Sequence, residues 1–261
     1  MLHKEILASR LSNDSQQRIK IWQHGEISCY GIITVTDRMG HIAIPIGNPA
    51  RNTSKRAVWI DGGNHAREWP AFHTAAFFIH ELVSKYSKDA EITNYVDKLN
   101  IYVSPVLNPD GFEFSRTSDV ALIRHWRKNR APENCSGSIL FRKNLCCDGV
   151  DLNRNYDFDF RQTLYPYNNP CSDEYQGPYP FSEPESRHVS FETNIRLHIA
   201  VRDIMTSAEL RGKVDAVISM HTHGQLIILP YNHRRNTYPS DYADLVCSNY
   251  NTIFVLNCYM I

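Results

Sequence analysis

Apolar residues in this chain fall into short uninterrupted runs, separated by one long helical period. Ala57-Val58-Trp59-Ile60 runs into Asp61-Gly62-Gly63 and reads as a buried β-strand. Over residues 69–86 the period changes, and Phe72, Ala75, Ala76, Ile79, Leu82 and Val83 fall on one face of an amphipathic helix. Residues 101–107 form a second buried run, stopped by Asn108-Pro109-Asp110-Gly111. Strand, helix, strand in that order predicts a right-handed parallel crossover. Residues 116–179 are rich in Asn, Asp, Pro, Tyr and Cys with little periodicity, which predicts a long, ordered loop region stapled by cysteines. Ser182-Glu183-Pro184-Glu185 then predicts a helix opened by a capping box and running towards Gly212, with a break near Thr206-Ser207. Residues 214–220 are a third buried strand and residues 225–231 a fourth. No linker composition interrupts the pattern, so a single α/β domain is expected.

Length, charge and cysteines narrow the class. At 261 residues the chain is long enough for one large domain with a substantial core. Basic and acidic residues balance at 28 each, so nothing in the charge points to nucleic acid or an acidic membrane surface. No apolar run approaches the roughly 20 residues of a membrane-spanning helix. Residues 1–7 lack the apolar region of a signal peptide. Yet 7 cysteines are many for a cytosolic enzyme, and Cys135, Cys146, Cys147 and Cys171 crowd into one region. Asn13, Asn52 and Asn134 each begin an Asn-x-Ser/Thr triplet. These features predict an extracellular protein whose leader lies outside this sequence, with an odd cysteine left over.

The chemistry concentrates where the first strand gives way to the helix. His65 and Glu68 stand three residues apart in Asp61-Gly62-Gly63-Asn64-His65-Ala66-Arg67-Glu68-Trp69. An imidazole and a carboxylate in one tight turn can share a zinc ion, with a distant third ligand and one position left for water. The same spacing also suits a plain helix N-terminus, where Glu68 meets the positive end of the dipole and His65 caps or packs. A third ligand comes from His221-Thr222-His223, just past another strand. In open α/β sheets ligands bind at the carboxyl ends of strands, which places both histidines at one site. Residues i and i+2 share a face, so geometry leaves His221 and His223 as alternatives.

Read together, the motifs are similar to those of the zinc carboxypeptidases of the pancreatic A/B type. The matching segments are His65-Ala66-Arg67-Glu68-Trp69, Asn108-Pro109-Asp110-Gly111, Arg124-His125-Trp126-Arg127-Lys128, Gly149-Val150-Asp151-Leu152-Asn153-Arg154-Asn155 and Ser219-Met220-His221-Thr222-His223. They occur in the family's order over roughly residues 55–245. The resemblance implies an α/β fold with a mixed, mostly parallel central sheet and helices on both faces. It implies a catalytic domain over 51–261, preceded by a loosely matching segment 1–50 of the same domain. One zinc ion would be held by His65, Glu68 and His221, with His223 outside the metal shell. Asn153 and Arg154 would bind the substrate's terminal carboxylate, Arg127 would stabilise the oxyanion, and Arg67 and Arg124 would touch the substrate upstream. Cys147 and Cys171 match the family's loop disulfide. Cys135 and Cys146 could pair as a second bridge, and Thr222–His223 falls where the family has a cis peptide bond.

The implied function is hydrolysis of the C-terminal peptide bond of peptides and proteins by a secreted, monomeric metallocarboxypeptidase. Peptide C-termini would be its substrates and protein inhibitors its partners, without nucleic acid. The resemblance also implies parts with no counterpart here: a mobile tyrosine, a pocket-floor residue and a general-base glutamate. Residues past Leu245 depart from the family pattern, so the sheet is expected to be incomplete at the C-terminal end. A positioned base contributes about 10²–10⁴-fold, so turnover by these residues alone is expected to be weak. The alternative is a non-catalytic module that binds zinc and C-terminal carboxylates.

Overall fold

A computed structural model of the chain describes residues 33–35, 41–131, 147–161, 163–187, 212–231 and 233–245. The chain divides into two compact units, residues 1–221 and 222–261. The first unit is built on a sheet of strands β1 (Ile33–Val35), β2 (His41–Ile46), β3 (Arg56–Gly62), β4 (Leu99–Ser104) and β5 (Val214–Met220), in the order β1-β2-β4-β3-β5. β4, β3 and β5 are parallel; β2 joins β4 antiparallel, and β1 joins β2 antiparallel. Helices α1 (Trp69–Lys85) and α2 (Ala90–Lys98) make the crossover between β3 and β4, and α3 (Pro109–Thr117) follows β4. The sheet is mixed, as the resemblance implies.

Alternation along the central strands splits the core in two. Ile60, Ile101 and Val103 turn to one face and pack with Ala75, Ile79 and Leu82 of α1. The intervening Ala57, Trp59 and Tyr102 turn to the other face and pack with Leu107, Tyr156 and Val217. The period of 2 in the strands and 3.6 in α1 therefore meet on one side of the sheet. The buried positions of α1 are Ala71, Phe72, Ala75, Ile79 and Leu82, close to the stripe expected from sequence.

Several local expectations change. Asn108-Pro109 does more than stop β4: the Asn108 side chain accepts the Gly111 amide at 3.0 Å, and Pro109 opens α3. The segment before Arg51 also supplies two strands, β1 and β2, that periodicity did not mark. β5 is a strand but is not buried; among the described residues it lies at the edge of the sheet, and its residues are exposed or half-buried. The fourth strand expected at 225–231 is not formed, because Gln225 and Tyr231 both take positive φ and Pro230 has no amide to donate to a ladder. Ser182 does not form a capping box. Its hydroxyl donates to Glu183 and accepts from Asn155, while α4 (Pro184–Arg187) starts one residue later. Residues 188–211, with the expected break near Thr206-Ser207, lie outside the described residues.

In the second unit the Thr222–His223 peptide bond is cis. The Tyr238 and Tyr242 rings there pack at 4.6 Å between centroids.

Gly63 carries the chain from β3 into the turn at φ +76°, and an added Cβ would lie 2.2 Å from the Phe72 ring. Gly63→Ala is therefore expected to lower the urea-unfolding free energy by about 1–3 kcal/mol. An unchanged midpoint would contradict this reading of the turn.

A buried polar cluster gives a second test. The Asn129 amide donates to Glu183 at 2.7 Å and to Glu185 at 2.9 Å. Burial pushes the Glu185 carboxyl up to about 7 from 4.5; the Asn129 hydrogen bond works against this, and the Glu183 and Asp110 charges add to it. Between pH 4.5 and about 7 the folded chain keeps a proton that the unfolded chain has lost. The stability this confers is present at low pH and declines as pH rises to about 7. Glu185→Gln is expected to flatten that part of the stability profile, measured by urea titration at several pH values. A slope equal to the wild type's would show that Glu185 is not its source.

Candidate metal centre

The turn after β3 is fixed from several sides before any ligand is considered. The Leu107 and Asn108 amides donate to the Gly62 and Gly63 carbonyls at 3.1 and 3.0 Å. The Asn108 side-chain amide reaches the Asn64 and Lys128 carbonyls, and the Ala66 amide donates to the Arg127 carbonyl at 3.0 Å. This lacing holds His65 at the carboxyl end of β3. Glu68 stands at the N-cap of α1 but makes no side-chain capping bond. Glu68 does stand at the helix N-terminus, as the alternative reading has it, but its carboxylate is engaged by the two histidines.

That carboxylate faces the two histidines. His65 Nδ1 lies 2.8 Å from Glu68 Oε1, and His221 Nδ1 lies 2.9 Å from Glu68 Oε2. The two Nδ1 atoms are 3.1 Å apart. His65 and Glu68 are 2% and 6% exposed, while His221, at the end of β5, is open to solvent on one side. Tetrahedral zinc with ligands at about 2.0–2.1 Å separates neighbouring donor atoms by roughly 3.3 Å. The observed triangle is closed by both Glu68 oxygens, one facing each histidine, and one donor atom from each of the three residues lies within 4.8 Å of the others; its donor set of two imidazoles and a carboxylate suits zinc. Among the described residues this is the group of His, Cys, Asp and Glu that could hold a metal ion.

Two buried carboxylates set the histidines behind this triangle. Asp151 is fully buried. Its Oδ1 lies 3.1 Å from His65 Nε2 and accepts the Asn153 amide at 3.0 Å; its Oδ2 accepts Arg127 Nε and Nη2 at 3.0 and 2.9 Å. A proton on His65 Nε2 directed at Asp151 leaves the Nδ1 lone pair facing Glu68 and His221. Burial works to raise the Asp151 carboxyl, but the His65 hydrogen bond and the charges of His65, Arg127 and Arg154 hold it well below the carboxylate range. For Glu68, burial is likewise outweighed by the His221 and His65 imidazoles beside its two oxygens, which hold its carboxyl below the ordinary range. Asp61 plays the corresponding part for His221. It accepts Ser219 Oγ at 2.6 Å and Trp59 Nε1 at 2.8 Å, and Ser219 Oγ, its proton so committed, sits 3.5 Å from His221 Nε2.

The arginines are placed differently from one another. Arg127 lies against Asp151, with Nη1 3.8 Å from Glu68 Oε1. Asn153 and Arg154 lie in the 3₁₀ turn Leu152–Arg154, capped by Asp151. Arg154 is partly exposed and pairs with Glu174 at 3.5 Å. Arg67 is half-buried and pairs with Asp173 at 3.1 Å. Arg124 stacks on the Trp69 ring at 3.6 Å and donates to the Arg67 carbonyl at 2.9 Å, so it braces the turn that carries Arg67. Cys147 and Cys171 form a disulfide, next to the Asp173-Glu174 segment that meets Arg67 and Arg154. Cys135 and Cys146 lie outside the described residues.

Asp151 and Asp61 were not among the residues picked from sequence, although both stand in the quoted motifs. The usable signal was chemical: a histidine metal ligand calls for a carboxylate or carbonyl on its other nitrogen.

The family described as zinc carboxypeptidase matches residues 32–255. Carboxypeptidase A2 of Rattus norvegicus is 37% identical over 191 residues, covering 73% of this chain and 39% of that protein. Carboxypeptidase A6 of Homo sapiens is 33% identical over 238 residues, covering 87% of this chain and 46% of that protein. The chain thus spans less than half the length of these relatives. Among solved structures, thrombin activatable fibrinolysis inhibitor superposes with a TM-score of 0.66 at 29% identity, over 86% of this chain and 49% of that one. Carboxypeptidase A from Helicoverpa armigera gives 0.64 at 27% identity, over 82% and 45%. A bovine thrombin-activatable fibrinolysis inhibitor in complex with a tick carboxypeptidase inhibitor gives 0.64 at 28%, over 87% and 64%.

Asp151→Asn is expected to weaken zinc binding by roughly 10–100-fold, measured by competition with a chromophoric chelator. Zinc affinity equal to the wild type's would remove Asp151 from the support of the site.

Proposed function

The chain belongs to the zinc carboxypeptidase family, and on that premise we propose that it is a metallocarboxypeptidase acting on the C-terminal peptide bond of peptides and proteins. The observation that carries this reading is the convergence of His65 Nδ1, Glu68 and His221 Nδ1 beside the Asp151–Arg127 pair. In this reading His65, Glu68 and His221 hold one zinc ion. Zinc bound there supplies Lewis-acid polarisation of a carbonyl and acidification of water.

The chain's own residues do the rest of the recognition. Arg127 is held by Asp151 through Nε and Nη2, which leaves Nη1 as the guanidinium edge closest to the ligand carboxylate. A donor fixed there in advance can meet negative charge as it develops on a carbonyl oxygen. Arg154 and Asn153 offer a planar guanidinium and an amide for the terminal carboxylate, and Arg67 lies further along the turn. The Arg154–Glu174 and Arg67–Asp173 pairs are partly exposed, with the acidic partner the more open of the two, so a substrate carboxylate can displace it at little cost.

The Cys147–Cys171 disulfide supports secretion, since such bonds persist in oxidising compartments. The bovine neighbour bound to a tick inhibitor supports protein inhibitors as partners.

The test compares a peptide with a free C-terminus with its C-terminal amide. Release of the last residue from the free acid, spared in the amide and abolished by a zinc chelator, is the expected result. Arg154→Ala is expected to lower kcat/KM for the free acid by roughly 10–100-fold, the loss of a hydrogen bond to a charged group. Equal cleavage of acid and amide would contradict a carboxypeptidase. Zinc and peptide binding without cleavage would favour the non-catalytic module.

A further inference from the structure

We propose that Asn52 is a site of N-linked glycosylation, placed at the opposite end of the sheet from the candidate metal centre. The inference rests on the secretory reading above. Of the Asn-x-Ser/Thr triplets, those at Asn13 and Asn134 lie outside the described residues; Asn52-Thr53-Ser54 lies in the connection between β2 and β3.

The triplet is folded in a form suited to the chemistry. Asn52 Oδ1 accepts the Ser54 amide at 2.9 Å and the Ser54 hydroxyl at 2.7 Å. These bonds are local, spanning Asn52 to Ser54, so the sequence itself favours them. A hydroxyl donating to the carbonyl oxygen draws electron density from the amide and makes an Nδ2 proton easier to lose. Thr53 and Ser54 are exposed and Asn52 is half-buried, with the local hydrogen bonds of its side chain made by Oδ1 and not by Nδ2. Neither Thr53 nor Lys55, the neighbours that flank Ser54, is a proline.

The turn is also firmly mounted. The Asn52 carbonyl accepts the Lys55 amide at 3.0 Å and the buried Asn100 side-chain amide at 2.8 Å. Lys55 Nζ ties the same connection to the Asn48 and Val96 carbonyls. The Asn52 side chain is therefore presented from a fixed backbone.

The modification is a group transfer from a glycan carried on a lipid pyrophosphate. Asn52 Nδ2 bonds to the anomeric carbon, the bond from that carbon to the pyrophosphate oxygen breaks, and its electron pair leaves with the lipid pyrophosphate. Nδ2 gives up one proton, which balances the negative charge left on the departing pyrophosphate oxygen. β3 separates Asn52 from the turn bearing His65, a length of roughly 20 Å at about 3.3 Å per residue. A glycan there shields the loop end of the sheet and leaves the candidate metal centre open.

The experiment expresses the chain behind a cleavable leader in a eukaryotic cell line. The secreted protein is treated with peptide-N-glycosidase in heavy-oxygen water and mapped by mass spectrometry. The expected result is conversion of Asn52 to heavy-labelled Asp, lost in Asn52→Gln and in Ser54→Ala but retained in Ser54→Thr. Leader removal shows that the chain reached the transferase, and Asn13 and Asn134 are read in the same digest. Unmodified Asn52 in leader-processed chain overturns the site, whatever happens at the other two. Failure of the secretory reading is seen separately, as a native transcript whose product stays inside the cell with Cys147 and Cys171 reduced.

Discussion

The buried carboxylate of Asp151 is the contact on which the candidate site depends. One oxygen faces the outer nitrogen of His65 and caps the turn carrying Asn153 and Arg154; the other grips Arg127 with two hydrogen bonds. A charge buried so completely is costly unless it is paired and fully bonded. Here every partner that satisfies it is a residue the proposed reaction needs. The same interaction therefore sets the histidine's tautomer, aims an arginine and positions the turn carrying Asn153 and Arg154. Removing it would leave the Arg127 guanidinium and the outer nitrogen of His65 without their buried counter-charge.

The sheet makes this meeting possible. β3 and β5 are parallel neighbours, and Asp61 of β3 lies opposite Ser219 of β5. Their carboxyl ends release His65 and His221 at the same level, while α1 begins at Glu68. The Ser219–Asp61 hydrogen bond couples the two strands at the register that brings the histidines together. Long loops then close around the turn, tied by the Cys147–Cys171 disulfide and by Lys128, whose ammonium group donates to the Pro170 carbonyl at 2.8 Å. Irregular backbone dominates around the arginines, yet much of it is pinned by buried asparagines such as Asn108, Asn129 and Asn155.

Much of the centre was legible in the sequence, because the strands there are short apolar runs and the chemistry sits at their ends. β3, α1, β4 and β5 each follow from periodicity, and the His65–Glu68 spacing is local. What the sequence hid is non-local. The pairing of Asp151 with His65 spans 86 positions, and no pattern of periods marks it. β2 was missed because its alternation is short and includes Pro45. β5 reads as buried because it is apolar, but burial depends on what lies beside a strand and not on the strand alone. The false strand at 225–231 failed for a related reason: apolar side chains cannot override backbone dihedrals that a ladder does not accept.

The most direct test of the account is X-ray absorption at the zinc edge of the loaded protein. Coordination by His65, Glu68 and His221 predicts about one ion per chain, with two imidazole nitrogens and carboxylate oxygen at about 2.0–2.2 Å and no sulfur. The signal should be lost in His221→Ala. A sulfur shell near 2.3 Å would assign the metal to the cysteines instead, and an unaltered spectrum in His221→Ala would contradict the site described here.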